Sequence, residues 1–380
     1  MINFAVTIIL LNNHNMFQIT INRGKILIAT TLLLFLFSSY SAQAQRSLGE
    51  FQRGEGVIKY THYQPFRKQP INLCYYIPTK GNVRKMQVII SMPGSQRTAK
   101  GQLNAWKPLA EEYGFVVIVP EMLQENGYRN LSYRYGFVSR SIGNGEFSLR
   151  PRYRWVFQLI EEIFDFYREE TYSRVKHYDL FGQSAGAQFV ERFILTMPDT
   201  RCRRAVASNA GQYTYPDPTG LHHPDGTLCD HAGWPHSVSD TPFANTKHLR
   251  KVFKRDLTIH IGTKDLQDLH KRNKLVDTVK YKYNYHHIMG ATRYQRAHHF
   301  YDYSKRVADS LGLKFNWRIV DNIGVGHGST GAIYGRRKVP KRTLEDGTQE
   351  FDPHSATEHS AFQLLVKERN ASKRNAQKQR

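Results

Sequence analysis

The sequence has few cysteines, few acidic residues and no apolar run long enough to cross a bilayer with ease. Its three cysteines exclude a fully paired disulfide framework, although Cys202 and Cys229 are candidates for one disulfide whose formation the sequence leaves open. The spacing of cysteine and histidine is not typical of a zinc site, so we expect neither a metal ion nor a cofactor. Apolar residues make up 40% of the chain and charged residues 23%, which indicates a globular rather than a disordered protein.

Acidic residues are much scarcer than basic ones. The chain has 54 lysines and arginines against 32 aspartates and glutamates, which gives a formal charge of +22. Basic residues are dense in "RRKVPKR", residues 336–342, and in the C-terminal tail, residues 367–380. This balance favours contact with polyanions such as an acidic polysaccharide, and a solvated basic surface without a dedicated partner is the alternative. The aromatic residues form no nucleic-acid-binding motif, so no specific nucleic-acid partner is expected.

The N-terminal segment has the pattern of a secretory signal peptide. Two basic residues precede the apolar run Ile26 to Phe37, which is shorter than a comfortable transmembrane helix. Small residues follow and end in an Ala-x-Ala cleavage site after Ala44. We therefore assign residues 1–44 to a signal peptide, with Met16 as an alternative start, and expect a secreted or periplasmic protein without stable membrane insertion. An uncleaved membrane anchor is the alternative.

Strand-like runs alternate with helical runs between residues 45 and 366, and this alternation predicts one α/β domain. The runs "GVIKYTHYQP" and "INLCYYIP" suit an antiparallel pair at its start. Near-continuous apolar runs such as "MQVIISMPG" and "FVVIVPE" are typical of parallel strands that are buried on both faces. We expect about eight strands in a mostly parallel sheet flanked by helices, with a site at the carboxyl ends of the strands.

Two segments add detail to this α/β pattern. Residues 212–245 are rich in Pro, Gly, His and Asp and have little periodicity, which indicates an irregular, lid-like insertion. Its aromatic residues form either substrate contacts or a small core of the insertion itself. Near the C-terminus, "SATEHSAFQLLVKERN" predicts a last helix with Ser355 as N-cap and Glu358 completing a capping box.

The sequence "GQSAG", residues 182–186, is a G-x-S-x-G motif between a predicted strand and a predicted helix. At such an elbow the serine takes a strained backbone conformation, and Gly182 and Gly186 leave the room that this conformation needs. Ser184 is therefore a candidate nucleophile, and a serine that merely caps the following helix is the alternative.

A serine hydroxyl needs a base, and the base needs an orienting acid. Asp265 follows the predicted strand "LTIHIG", and His327 follows the predicted strand "NWRIVDN" in a glycine-lined loop. The chain order Ser, Asp, His is that of hydrolases with this elbow, so Ser184, Asp265 and His327 are the predicted catalytic triad. Asp268 is the alternative acid.

An oxyanion hole needs two N–H donors close to the nucleophile. One predicted donor is the backbone N–H of Ala185, which directly follows the serine. The other is the backbone N–H of Ser95 or Gln96, in the loop after the strand "VIIS", where Gly94 permits close approach.

These motifs resemble those of the α/β-hydrolase superfamily, and more narrowly of secreted bacterial esterases of the polyhydroxybutyrate-depolymerase and feruloyl-esterase type. The resemblance covers roughly residues 57–365 and implies an α/β-hydrolase fold, ester hydrolysis and the triad named above. The chain departs from the family at Pro93, where histidine often precedes the oxyanion glycine, and proline has no N–H and stiffens the loop. The segments that carry the resemblance are "SMPGSQRTA", "VVIVPE", "FGQSAGAQFVERF", "ASNAGQYTYP", "IHIGTKD" and "GVGHGS".

Together these features predict a secreted serine esterase that works through an acyl-enzyme on a polysaccharide-linked or polyester substrate. A serine peptidase of the same fold is one alternative, and a catalytically inactive polyanion-binding protein is the other. The acyl group, the alcohol and the oligomeric state do not follow from the sequence.

Overall fold

The computed structural model describes residues 6–12, 15–21, 49–140, 147–223, 225–229, 232–267 and 286–368. The chain divides into two units, residues 1–48 and residues 49–380. In the first unit, strands β1 (Val6–Asn12) and β2 (Asn15–Ile21) form an antiparallel hairpin. The apolar run of the predicted signal peptide and residues 369–380 of the basic tail lie outside the described residues.

The second unit is built on an eight-stranded sheet. Its strands are β3 (Gly54–Tyr60), β4 (Ile71–Ile77), β5 (Gln87–Met92), β6 (Phe115–Glu121), β7 (Tyr178–Gln183), β8 (Cys202–Ser208), β9 (Asp256–Gly262) and β10 (Arg318–Asn322). They lie in the order β10-β9-β8-β7-β5-β6-β4-β3. The β3–β4 and β4–β6 pairs are antiparallel and the other pairs are parallel, so the predicted antiparallel start and mostly parallel sheet are confirmed.

Helices pack on this sheet and carry the connections between its strands. The helices are α1 (Lys100–Tyr113), α2 (Asn130–Tyr133), α3 (Val156–Glu170), α4 (Ala185–Thr196), α5 (Thr246–Phe253), α6 (His286–Met289), α7 (Arg293–Ser310) and α8 (Ser329–Tyr334). Single 3-10 turns cover Gln64–Phe66, Val83–Lys85, Arg152–Arg154, Pro242–Ala244 and Pro353–Ser355. A small separate sheet pairs β11 (Lys341–Thr343) with β12 (Gln349–Phe351).

The central strands are apolar because helices cover the sheet. Every residue of β5 and of β7 is buried. Trp106 of α1 packs edge to face against Phe181 of β7, with ring centroids 5.5 Å apart, and helix α1 ends at Gly114 in the left-handed conformation (φ 70°). The G-x-S-x-G motif begins at the next residue of β7, Gly182.

The last helix begins later than the sequence predicts, and the capping box at Ser355 is wrong. Asp352 accepts the backbone N–H of His354 at 2.9 Å, so the chain first forms a separate 3-10 turn that ends at Ser355. Ala356 then takes an extended conformation, which interrupts any helix started earlier. The hydroxyl of Ser360 instead accepts the N–H of Gln363 at 3.0 Å, and a π-helix follows over Gln363–Lys367.

The insertion at residues 212–245 contains only one 3-10 turn and isolated bridges among its described residues. Tyr215 is fully buried and meets Phe300 of α7 edge to face at 5.3 Å. Trp234 is also buried, with its ring 5.8 Å from that of Phe147. Phe300 and Phe147 both lie outside the insertion, so these two side chains pack it against the rest of the domain and are not exposed substrate contacts.

Two further expectations concern cysteines and membrane spans. Cys74, Cys202 and Cys229 are buried and none is in a disulfide, so the disulfide that the sequence left open is not formed. Within the described ranges, the helices are all too short or too polar to cross a membrane.

Candidate active site

Ser184 stands between the end of β7 and the start of α4 in a strained backbone conformation. Its φ of 58° and ψ of −114° are unusual for a residue with a side chain, and such strain typically costs about 1–3 kcal/mol. Its N–H donates to the carbonyl oxygen of Ser208 on the neighbouring strand β8 at 2.9 Å. The sheet therefore holds the serine in this conformation, as a nucleophile elbow requires.

Gly182 and Gly186 are required by the close approach of backbone around the serine. A Cβ at Gly182 would lie 2.2 Å from the carbonyl oxygen of Gly186. A Cβ at Gly186 would lie 2.0 Å from the carbonyl oxygen of Met92 at the end of β5. Contacts this short do not occur between real atoms, so the turn is possible only with glycine at both positions.

The structure brings Ser184, His327 and Asp265 together. The Nε2 atom of His327 lies 3.0 Å from the hydroxyl oxygen of Ser184, and its Nδ1 atom lies 2.6 Å from Oδ2 of Asp265. Because a carboxylate accepts, Nδ1 carries the proton and Nε2 is left as an acceptor that faces the serine hydroxyl. This tautomer is the one in which the imidazole can remove the serine proton.

Asp265 is shielded from solvent, whereas His327 is accessible to it. The side chain of Asp265 is 2% exposed and that of His327 is 38% exposed. Asp265 also accepts a hydrogen bond from Nη1 of Arg293 at 3.1 Å, through its other oxygen, Oδ1. The alternative acid Asp268 lies outside the described residues.

Two polar side chains hold the loop that carries His327, and sequence reasoning missed both. The side-chain amide of Gln183 donates to the backbone carbonyl of His327. Asn209 donates from Nδ2 to the carbonyl of Gly326 at 3.1 Å and accepts the N–H of Gly262 at 2.8 Å. Asn209 has a positive φ of 56°, a conformation in which Asn is enriched. An isolated Asn after a strand, however, does not predict that its side chain will hold a loop more than 100 residues away.

The loop after β5 borders Ser184. A Cβ at Gly94 would lie 3.8 Å from Cβ of Ser184. The hydroxyl of Tyr133 donates to the carbonyl oxygen of Pro93 at 2.6 Å, and burial raises the pKa of Tyr133, so this phenol stays a donor. Pro93 is thus held from its carbonyl side although it has no N–H of its own.

The predicted oxyanion donors belong to two backbone segments, the start of α4 and the loop after β5. Ala185 is the first residue of α4, where a helix leaves its backbone N–H without an intrahelical acceptor. Ser95 and Gln96 are exposed in the turn that the Arg97 N–H closes on the carbonyl of Gly94 at 3.0 Å. The roles of Ala185, Ser95 and Gln96 in binding an oxyanion remain predictions.

A basic cavity of about 890 Å³ lies beside the His327 loop. Gly326 and Gly328, on either side of the histidine, line it together with Lys264 and Arg337. Neither of these cationic side chains forms an ion pair with a described residue, whereas Lys107 and several arginines elsewhere are paired. Among the described residues no group of three or more His, Cys, Asp or Glu side chains is placed to hold a metal ion.

Comparisons with known proteins agree with this geometry. No protein-family model matches the chain, and no curated protein matches its sequence. Among solved structures, the chain is similar to poly(aspartic acid) hydrolase-1 from Sphingomonas sp. KT-1, with 31% identity, a TM-score of 0.63, and coverage of 74% of this chain and 96% of that one.

A second solved structure shares the fold. It is LpqC, a poly(3-hydroxybutyrate) depolymerase from Bordetella parapertussis, with 23% identity, a TM-score of 0.60, and coverage of 74% of this chain and 86% of that one. The eight-stranded sheet, the strained serine elbow and the relative at 31% identity lead to one conclusion. The chain is a hydrolase and belongs to the α/β-hydrolase superfamily.

Proposed function

We propose that this chain is a serine hydrolase that cleaves carboxylic esters through an acyl-enzyme, outside the cytoplasm, on a substrate that is carried by an acidic polymer. The observation that carries the mechanism is the continuous hydrogen-bonded path from the hydroxyl of Ser184 through His327 to Asp265, over 3.0 and 2.6 Å. The signal-peptide pattern supports the location, and the charge of +22 supports the substrate class.

The proposed reaction has two halves. Ser184 attacks the ester carbonyl while Nε2 of His327 takes the hydroxyl proton, and Asp265 stabilises the resulting imidazolium. The tetrahedral intermediate collapses, His327 gives the proton to the leaving alcohol, and an acyl-enzyme remains. Water then attacks the acyl carbonyl with His327 again as base, which releases the acid and restores the serine.

The N–H of Ala185, together with that of Ser95 or Gln96, is proposed to bind the developing oxyanion. Loss of one such donor typically lowers kcat by about 100-fold or more. Because these proposed donors are backbone groups, their positions do not depend on side-chain rotamers. The chemistry then requires little reorganisation at the moment of reaction.

The acidic substrate class has two further supports. The relative with 31% identity is named for poly(aspartic acid), a polymer with a carboxylate on every unit. The cavity beside the His327 loop presents Lys264 and Arg337. Since poly(aspartic acid) is linked by amide bonds, this relative also favours the second candidate function, in which the same serine cleaves amides of an acidic polymer.

Ester and amide reporters assayed side by side separate these functions. We expect hydrolysis of a chromogenic short-chain ester, and faster hydrolysis when the acyl group is attached to a polyuronate than when it is attached to neutral xylan. Cleavage of poly(aspartic acid) without ester hydrolysis would instead support the amidase. A fluorophosphonate probe tests for any activated serine, and absence of labelling would leave only a polyanion-binding protein.

Removing the two cavity cations is expected to weaken selection for acidic substrates. In a Lys264→Ala, Arg337→Ala double variant, the ratio of kcat/KM for an acidic polymer to kcat/KM for a neutral ester should fall by roughly 10-fold at low salt, because two attractive charges are lost. The difference should shrink as salt is raised, since screening weakens the same interaction in the parent protein.

The matched control removes two cations at the opposite edge of the sheet. Lys176 and Lys314 are exposed and precede the amino ends of β7 and β10, so a Lys176→Ala, Lys314→Ala variant has the same net charge as the test variant. An equal fall of the ratio in both variants would show that net charge, and not the cavity, selects the substrate.

A further inference from the structure

We propose that Arg293 is a positioning residue for the triad, which fixes the orientation of the Asp265 carboxylate and, through it, the imidazole of His327. This inference rests on the proposed serine-hydrolase function and adds a fourth, cationic member to its hydrogen-bonded path.

Each oxygen of the Asp265 carboxylate has its own cationic or imidazole partner. Oδ1 accepts from Nη1 of Arg293 at 3.1 Å, and Oδ2 accepts from Nδ1 of His327 at 2.6 Å. The carboxylate therefore cannot rotate without breaking one of two hydrogen bonds in a dry environment. The side chains of Arg293 and Asp265 are 7% and 2% exposed, so water cannot readily replace Arg293 as the partner of Oδ1.

Arg293 occupies a position where an arginine is unfavourable unless it has such a partner. It is the first residue of α7, where the helix dipole disfavours a cation, and it is buried, which costs free energy for any charge. Thr292 caps the helix in a capping box with Gln295, so the helix start does not need the arginine. Asp265 supplies the compensating interaction, and the only further acceptor of Nη1 among the described residues is the exposed Gln267, at 3.2 Å.

The other charged and titratable groups around Asp265 leave it as the main anion of this region. Tyr213, in the loop after β8, is within electrostatic range of Asp265, Glu191, Arg293 and Arg296, and burial raises its pKa, so it stays neutral. Burial also raises the pKa of Glu191 on α4 to about 8, despite the opposing effect of Arg192, so this carboxyl is largely protonated at neutral pH.

The remaining cations are less suited to the role. Arg296, one turn along α7, donates to the backbone carbonyls of Gly290 and Gly211. Lys264, next to Asp265 in the chain, is exposed, and its charge is screened by solvent. Arg293 is therefore the cation that shares the charge of Asp265 with His327.

A positioning role differs from a purely structural one in its effect on turnover. A contact that merely joins α7 to the segment after β9 would change stability but would leave kcat and KM of the folded variant in place. A contact that orients the carboxylate should change kcat as well, because a misplaced imidazole reacts more slowly.

The test compares Arg293→Gln and Arg293→Lys by kcat and KM on a neutral chromogenic ester. For Arg293→Gln we expect kcat to fall by about 10-fold, because the carboxylate is no longer held, with KM little changed. For Arg293→Lys the charge and an N–H donor remain, so kcat should fall by a smaller factor.

The outcomes separate this inference from the proposed function. An unchanged kcat in a folded Arg293→Gln variant, or equal falls of kcat in the two variants, would overturn the role of Arg293. If Arg293→Gln does not fold, Arg293→Lys still tests the positioning through its split of kcat from KM. If the parent protein hydrolyses no ester and reacts with no fluorophosphonate at any pH, the proposed function itself fails.

Discussion

Replacing Ser184 by alanine is expected to lower kcat for ester hydrolysis by a factor of about 10⁵ or more, because the covalent intermediate cannot form. Folding should be unaffected. Alanine at φ 58° is as strained as serine there, and the backbone hydrogen bond from residue 184 to Ser208 does not involve the side chain. Turnover assays, fluorophosphonate labelling and thermal unfolding of the purified variant measure both parts of this prediction.

The fold contains its own control for this experiment in a second serine–histidine pair. The hydroxyl of Ser208 lies 2.9 Å from Nδ1 of His260, whose Nε2 lies 2.8 Å from the backbone carbonyl of His359. This pair is fully buried, and burial lowers the pKa of His260 to about 4, so it has neither access to substrate nor a carboxylate partner. A Ser208→Ala variant should keep its fluorophosphonate labelling. If Ser184→Ala keeps the turnover of the parent protein, Ser184 is not the nucleophile.

Replacing Gly186 by alanine is expected to destabilise the protein by about 3 kcal/mol or more and to lower its melting temperature by about 5 °C or more. The added methyl group would lie 2.0 Å from the carbonyl oxygen of Met92 and 2.6 Å from that of Pro93. Both atoms are backbone, so relief requires movement of β5 or of α4 itself. Because Pro93 begins the predicted oxyanion loop, we also expect kcat to fall in whatever fraction folds.

The matched control is Gly101→Ala in the first turn of α1. A Cβ at Gly101 would have no heavy atom within 4 Å, and alanine is favoured over glycine in helices by up to about 1 kcal/mol. The melting temperature of this variant should be unchanged or slightly raised. Equal effects of the two substitutions would contradict the steric argument, whereas opposite signs would support it. Differential scanning calorimetry decides between them.

The amino-acid pattern was sufficient to predict those elements whose structure depends on only a few neighbouring residues. The buried strands β5 and β6 read as near-continuous apolar runs because both of their faces are covered. The spacing of the serine elbow also follows from local stereochemistry. The last helix was misplaced for a related reason, since Asp352 and Ser355 both suit a helix start and only the folded chain shows which turn forms.

The side chains that form hydrogen bonds with the His327 loop and with Asp265 could not be predicted from local sequence patterns. Gln183 reaches His327 across 144 residues of chain, and Arg293 reaches Asp265 across 28 residues that include an undescribed segment. Glutamine and arginine are common surface residues, so their types carry no signal until their burial and contacts are known.

The amino-acid pattern alone was enough to predict the sheet, the elbow and the chain order of nucleophile, acid and base, because each of these depends on steric rules or periodicity within one element or on a motif order. Tertiary structure alone decided which oxygen of Asp265 meets His327, which side chains hold the histidine loop, and that a buried guanidinium shares the carboxylate. Those contacts join elements that are distant in sequence, and their energies depend on distances and burial that arise only when the strands align at one edge of the sheet.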